Sequence, residues 1–416
     1  MQFHANAAIY TISVIATGGV IIRPWRFPEA IWAVLGAVAL VAFGLISLAD
    51  ALTGILKGLD VYYFLAGMML LAELARREGL FDWLAALAAE HAKGSTQRLF
   101  TLIYLVAIVV TTLLSNDTTA VVLTPAVYAA ARAAGAKPLP LLLICAFVAN
   151  AASFVLPISN PANLVVFGAH MPNLADWLRQ FFLPSALAIA ATYAALWLTH
   201  RRLLRTETLA APPTRPALSN AGLLTACGIF CTGAALLVCS ALGLPLGLPT
   251  LIAGCATACI VLAVSRRNPV TIARGISWEV LPLVAGLFVL VEAIDKTGAI
   301  GELSNLLRAA SGSPAMPLAV GTMLAVACNV MNNLPVGLIA GSAIAADHLP
   351  LPMMGAMLIG VDLGPNLSIT GSLATILWLV ALRREGQEIS AFRFLKLGAL
   401  VMPPALILAI AAVSFF

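Results

Sequence analysis

The sequence predicts an all-α polytopic membrane protein made of two structural repeats, with broken, re-entrant helical hairpins that meet near the bilayer midplane. Three observations carry this. Of the 416 residues, 61% are hydrophobic and only 10% are charged, against about 25% charged in a soluble domain. The apolar residues fall in long runs, whereas the strands of a membrane barrel would be short and alternating. Two polar breaks interrupt these runs in each half of the chain, in matching order. Paired breaks of that kind point to a secondary transporter with its site at the repeat interface. Inverted topology is the usual form of such repeats.

A spanning helix needs roughly 20 apolar residues. In the first repeat, residues 1–200, spans are expected near 7–22, 28–48 and 60–76. The N-terminus lacks a basic n-region and a clear cleavage site, so its first apolar run reads as a helix and not a removed signal. The stretch 52–59 is short enough to lie in the interface. Leu80, Phe81, Trp83, Leu84 and Leu87 make 79–92 an amphipathic interfacial stretch. Residues 99–133 as one helix would reach roughly 50 Å, too long for one crossing, so Asn116-Asp117 marks a break or hairpin tip. Residues 139–168 carry a second break from Pro157 to Asn163, and 176–200 form the last span.

Residues 201–219 are the linker, with Arg201, Arg202, Arg205 and Arg215 against Glu207, and with Pro212, Pro213 and Pro216. An arginine excess in a short loop predicts the cytoplasmic side. Arg23, Arg26, Arg76, Arg77, Arg98, Arg132, Lys137, Arg266, Arg267 and Arg274 fit the same side. The net charge of +5 is thus a topology signal and not one for nucleic acid.

The second repeat, 220–416, follows the same plan. Spans are expected near 220–242, 247–265 and 278–295, with an amphipathic stretch over 298–309. Then come 316–347, broken at Asn332-Asn333, and 352–382, broken from Asp362 to Ser372, before a final span over 394–415. Placing Ser159–Asn163 on Gly371–Thr375 gives an offset of 212, and placing Asn116-Asp117 on Asn332-Asn333 gives 216. About ten to twelve segments are expected in all, some of them re-entrant.

Of eighteen carboxylates, only Asp117 and Asp362 fall in breaks inside apolar segments. A carboxylate at that depth persists only where it faces protein or a water-filled cavity, and proton or cation carriage is its usual work. The alternative is structural, with each satisfying freed N–H groups at the start of a half-helix. No histidine competes, since His4, His91, His170, His200 and His348 lie near span ends or in loops. Neutral ligands are Asn116, Thr118, Ser159, Asn160, Asn163, Asn332, Asn333, Asn366, Thr370, Ser372 and Thr375. Alone, such residues read as interhelical hydrogen bonds. Clustered on Pro- and Gly-containing breaks, they favour substrate contact, because open backbone at mid-membrane depth must be buried in protein or line a cavity.

The seven cysteines all lie in apolar segments, so no disulfide is expected. Cys227 with Cys231, and Cys255 with Cys259, are spaced to share a helix face and could bind a soft metal or metalloid. They read better as small apolar packing residues. Cys328 and Met331, next to Asn332, are better placed as soft contacts. Glu292 and Asp295 beside Lys296 read as an interfacial ion-pair group. The chain has no Walker A motif, no His-Glu-x-x-His helix and no nucleophile–base motif. No cofactor or enzymatic activity is expected, and transport must draw on an ion gradient or a separate subunit.

Three stretches carry a resemblance to a known family. They are Ser115-Asn116-Asp117-Thr118-Thr119-Ala120 through Leu123-Thr124-Pro125; Val330-Met331-Asn332-Asn333-Leu334-Pro335; and Ile359-Gly360-Val361-Asp362-Leu363-Gly364-Pro365-Asn366, continuing from Ile369 to Leu379. They resemble the bacterial arsenite and antimonite efflux permeases of the ion transporter superfamily, whose length, central basic loop and order of spans also fit. Two positions depart. Asn150 stands where that family often has an aspartate, and Asn366 where a lysine is common.

The resemblance implies efflux of trivalent arsenic and antimony from the cytoplasm in exchange for protons, conferring metalloid resistance, in the bacterial inner membrane. A soluble cytoplasmic ATPase sometimes serves as partner. The polar residues of the breaks agree with this, because arsenous acid is an uncharged triol at neutral pH and amides and hydroxyls suit a triol. On this reading Asp117 and Asp362 couple protons, and the neutral residues hold the substrate. The alternative is a sodium/proton antiporter of the same superfamily. A dicarboxylate transporter fits less well, since no basic residue sits in any break.

Overall fold

The computed structural model describes residues 2–207, 209, 216–310, 312–346 and 349–415, and all regular structure among them is helical. Arg215, Pro212, Pro213 and His348 lie outside the described residues. The chain opens with α1 (Gln2–Ile22), α2 (Glu29–Ala42), the amphipathic α3 (Leu48–Lys57) and α4 (Leu59–Arg77). Next, α5 (Leu80–His91) leads into α6 (Thr96–Leu114), which stops at Ser115. The chain turns back through α7 (Asn116–Thr118), a π turn over Thr119–Leu123 and α8 (Thr124–Ala133). Then α9 (Pro138–Ala151) and α10 (Pro161–Phe167) form the two parts of a broken crossing, and α11 (Leu174–Thr206) follows. Prolines stand in the first turn of α8, α9 and α10, where the missing N–H has no intrahelical partner to lose.

The second half repeats the order with α12 (Asn220–Ala241), α13 (Gly247–Ser265), the unforeseen short α14 (Pro269–Gly275) and α15 (Val280–Lys296). After α16 (Ala299–Ala310) comes a second hairpin, α17 (Met316–Met331) and α18 (Asn333–Ala346). A second broken crossing, α19 (Leu351–Leu363) and α20 (Leu373–Arg384), precedes α21 (Ala391–Val413). Six helices are long and apolar enough to cross a membrane alone, or eight if each of two bent pairs counts as one span, among the described residues. The rest of the apolar helix is in the shorter pieces that build the hairpins and broken crossings.

These halves interlock. In the packing, α4 lies on α13, α2 on α15, α10 on α18, α11 on α21, and α20 on the π turn and α8. Small residues permit this closeness, as in membrane helix pairs generally. A Cβ at Gly67 of α4 would stand 2.5 Å from the Thr250 carbonyl oxygen of α13, and one at Gly254 would stand 2.9 Å from the Gly67 oxygen.

Two faces are defined by α11, whose 33 residues span roughly 50 Å. On the linker face Thr96 Oγ1 donates to the Glu207 carbonyl at 2.7 Å, Lys137 pairs with Glu207, and Arg267 pairs with Glu78. On the opposite face Lys296 pairs with Asp50 at 2.8 Å, and Gln180 donates to the Leu351 carbonyl at 2.9 Å. Lys57 there pairs with the buried Glu292. The acidic group at the end of α15 is therefore tied to the first half of the chain, instead of closing on Lys296 alone. The α6–α8 hairpin opens on the linker face. The end of α18 lines a cavity of about 630 Å³ with the end of α10 and the starts of α11 and α19, on the other face. The two hairpins thus point in opposite directions. Helix α11 also runs past residue 200, so Arg201, Arg202 and Arg205 are helical, and the Arg205 guanidinium lies 5.7 Å from the Trp197 ring centroid.

Candidate functional site

Each hairpin is broken by one residue held in a backbone region that is nearly glycine-only. Ser115 has φ 111° and ψ 160°, and Asn332 has φ 73° and ψ 153°. Both close the preceding helix, Ser115 N–H donating to the Thr111 carbonyl at 3.1 Å and Asn332 N–H to that of Cys328 at 2.8 Å. The next residue starts a new helix. The backbone therefore matches Ser115 to Asn332 and Asn116 to Asn333, one residue off the alignment of like side chains. Leu334 is the counterpart of Asp117. Breaking a helix leaves carbonyls without intrahelical donors. The Thr112 carbonyl receives Ser159 Oγ at 3.1 Å, and the Asn329 carbonyl receives Thr370 Oγ1 at 2.9 Å.

Four helix starts converge on one small cavity. It is lined by Asn116 and Asp117 of α7, Asn160 and Pro161 at α10, Asn333 and Leu334 of α18, and Ser372, Leu373 and Ala374 at α20, with Leu65 and Val280 closing it. Its volume is about 20 Å³, room for about one water. The helix starts turn partial positive charge toward it, and those of α10, α20 and α18 are capped by the residue before them, while at α7 the first residue serves its neighbour. Asn160 Oδ1 accepts from Ala162 N–H at 3.0 Å, Ser372 Oγ from Thr375 N–H at 3.2 Å, Asn116 Oδ1 from Asp117 N–H at 2.9 Å, and Asn332 Oδ1 from Leu334 N–H at 3.4 Å. The Asp117 carboxylate has no hydrogen-bond or ion-pair partner among the described residues. No lysine, arginine or histidine lines the cavity.

Behind the cavity lies Asp362, fully buried. Its Oδ1 accepts from Asn160 Nδ2 at 2.8 Å, and its Oδ2 lies 2.7 Å from Ser153 Oγ. Asn160 therefore lines the cavity and touches the second aspartate. Beside this pair Asn150 Nδ2 donates to Asn366 Oδ1 at 3.0 Å, and Asn366 Nδ2 donates to the Phe147 carbonyl at 3.1 Å.

Of the thirteen residues singled out from sequence, Asn116, Asp117, Asn160, Asn333 and Ser372 share the cavity wall. Thr118, Ser159, Asn163, Asn332, Asp362, Asn366, Thr370 and Thr375 stand around it without lining it. Thr118 Oγ1 reaches the Leu114 carbonyl, Thr375 Oγ1 pairs with Ser372 Oγ, and Asn163 Nδ2 serves the carbonyls of Ser153, Leu156 and Pro157. Asn150, Ser153, Asn329 and Ser368 join the network without being among the thirteen. The departure at Asn150 was visible in the sequence, and Ser153 lies in the same short stretch three residues on without having been singled out. Asn329 lies one turn before the break at Asn332-Asn333, and it donates to the Gly364 carbonyl and accepts from Ser368.

All seven cysteines are free thiols. Cys227, Cys231, Cys255 and Cys259 are exposed on the outer surface of α12 and α13. Cys328 is buried with its Sγ 3.7 Å from the Val361 carbonyl, and Met331 lines a separate apolar cavity beside α1 and α15. Neither reaches the small cavity, so the expected soft contacts at Asn332 are not made there. No group of three or more His, Cys, Asp or Glu side chains fit for a metal ion occurs among the described residues.

Comparison with known proteins agrees with this architecture. The citrate transporter family (CitMHS) matches residues 18–360. An arsenical pump membrane protein of Escherichia coli is 28% identical over 401 residues, covering 92% of each chain. That of Escherichia coli strain K12 is 29% identical over 364 residues, covering 83% of this chain and 84% of its own. The crystal structure of the Alcanivorax borkumensis YdaH transporter superposes with a TM-score of 0.59 at 18% identity, over 90% of this chain and 89% of that one, a likeness of fold.

Proposed function

This chain belongs to the citrate transporter family, and on that footing we propose that it exports trivalent arsenic and antimony from the cytoplasm in exchange for protons. It is a multi-pass transporter of the bacterial inner membrane. The observation that carries the proposal is the cavity at the four helix starts, where the unpartnered Asp117 faces the amides of Asn116, Asn160 and Asn333 and the hydroxyl of Ser372. Arsenous acid is a neutral triol. Its hydroxyls donate to carboxylate and amide oxygens and accept from amide N–H groups, and that is the donor and acceptor set present. A citrate-like polyanion would bring several negative charges beside Asp117 with no cation in the wall to balance them, which is costly in a buried site.

Exchange needs substrate and proton to exclude each other. An ionised Asp117 accepts a substrate hydroxyl through a charge-assisted hydrogen bond, roughly twice as strong as a neutral one. A proton on Asp117 removes that acceptor. Substrate would bind from the cytoplasm to the ionised form, and after release outside one proton would neutralise the carboxylate for the return. Asp362 stands as the second proton-coupling candidate, linked to the cavity through Asn160. The cavity as it stands holds about one water, so loading requires the hairpin tips to part from α10 and α20. The linker face, with Arg201, Arg202 and Arg205, is where a cytoplasmic ATPase subunit would dock.

The test is arsenite accumulation in everted membrane vesicles under an imposed pH gradient, with sodium and citrate arms. The proposal expects accumulation driven by the pH gradient, indifferent to sodium and to excess citrate. Sodium-dependent proton flux without arsenite movement would establish the sodium/proton antiporter instead. Competition by citrate would place a carboxylate in the site.

A further inference from the structure

Ser153 follows the last turn of α9 and is fully buried. Its Oγ lies 2.7 Å from the backbone carbonyl of Asn150 and 2.7 Å from Asp362 Oδ2. A serine hydroxyl has one hydrogen, and a carbonyl only accepts. If Ser153 gives its hydrogen to Asn150, the contact with Asp362 is a hydrogen bond only when Asp362 carries a proton and donates it. If Asp362 is ionised, Ser153 turns its hydrogen to the carboxylate. The Asn150 carbonyl then keeps only backbone donors at the helix end, the Ser153 N–H at 3.4 Å and the Ala152 N–H, which it shares with the Val148 carbonyl. Asp362 Oδ1 accepts from Asn160 in both states.

We propose that Ser153 is a positioning residue whose single hydroxyl hydrogen couples the protonation of Asp362 to the broken end of α9. Protonated Asp362 frees Ser153 to hold the Asn150 carbonyl, and ionised Asp362 takes that bond away. The Asn150 side chain bonds Asn366 at the break after α19, so one proton is felt at both broken crossings. This proposal rests on the reading of Asp362 as a proton site. The surroundings leave Asp362 little else to answer to. Of the helices packed against α19, α10 and α18 have no titratable residue, and α9 has Cys145, buried beside Thr124 of α8. From α17 comes Cys328, and the Arg393 and Lys396 of α21 are exposed at the linker face.

The experiment is infrared titration of the purified, lipid-reconstituted protein without arsenite. The carboxyl C=O band of Asp362 is assigned by its absence in Asp362→Asn. Ser153→Ala removes a charge-assisted bond from the ionised state and a weaker neutral one from the protonated state. The band should therefore persist to higher pH by about one unit. Ser153→Thr, which keeps the hydroxyl, should titrate as the native protein. Ser153→Cys, of similar size but a weaker donor, should shift in the same direction as Ala and guards against a misfolded Ala variant. Identical titration of the Ala, Cys and Thr variants would overturn the coupling. The band is read without substrate. A native chain that moves no arsenite, yet shows the shift in Ser153→Ala, would overturn the functional reading and leave the coupling standing.

Discussion

Asn160 donates through Nδ2 to Asp362 Oδ1 at 2.8 Å across 202 residues of sequence, while its own Oδ1 caps α10 through the Ala162 N–H at 3.0 Å. One side chain thus sets a helix start at the cavity and holds a carboxyl group behind it. Asn160→Leu removes both bonds. Losing the cap alone costs about 1 kcal/mol, so the purified protein should melt at lower temperature and lose pH-driven arsenite accumulation. Asn160→Ser can still cap but is too short to reach Asp362. It should recover much of the melting temperature and none of the transport. Recovery of both would mean that the link to Asp362 is idle.

The strain at Ser115 makes a second prediction. At φ 111° and ψ 160° a non-glycine residue is destabilised by about 1–3 kcal/mol. Ser115→Gly relieves this and gives up only a long hydrogen bond to Thr118, at 3.3 Å. It should raise the melting temperature in detergent, whereas Ser115→Val, with its branched Cβ, should lower it. A drop with glycine would show that the side chain stabilises the break by more than the backbone strains it.

These two residues also mark how far the sequence could be read. Polar groups inside apolar runs exposed both hairpins, because a buried break needs caps and caps are polar. The register between halves was harder. Like side chains align Asn116 with Asn332, yet the chain breaks at Ser115 and at Asn332, and nothing in the side chain of Ser115 announces a positive φ. Five of the singled-out residues meet in one cavity, since the first residues of the half-helices converge there, and two of the five, Asn160 and Ser372, are also their caps. The pairing of Ser153 with Asp362 spans 209 residues, and a lone serine near a helix end carries no mark of such a partner. The pairing of Lys57 with Glu292 was hidden for the same reason.

Helix α18 meets α10 through glycine. A Cβ at Gly341 would stand 2.5 Å from the Val165 carbonyl oxygen, which is backbone and cannot rotate away, while one at Gly337 meets nothing closer than 3.5 Å. Gly341→Ala should therefore destabilise the protein by about 1–3 kcal/mol, and Gly337→Ala should be tolerated. Expression level and melting temperature of the two variants check this, and equal behaviour would count against the packing described.

The outer thiols should be dispensable. Cys227, Cys231, Cys255 and Cys259 are exposed on α12 and α13, away from the cavity. Replacing all four with alanine should leave arsenite accumulation in vesicles within about twofold of native, a change worth less than 1 kcal/mol. Loss of transport in this variant would move the metalloid path to the outer surface of these helices.

The central claim is that metalloid and proton exchange at Asp117. Its most direct test is proteoliposomes loaded with arsenite and a pH-sensitive dye, diluted into arsenite-free buffer at equal pH. The outward arsenite gradient should drive protons inward and acidify the lumen in the native protein, with no proton movement in Asp117→Asn. Arsenite release without acidification in the native protein, or equal acidification in Asp117→Asn, would contradict the account.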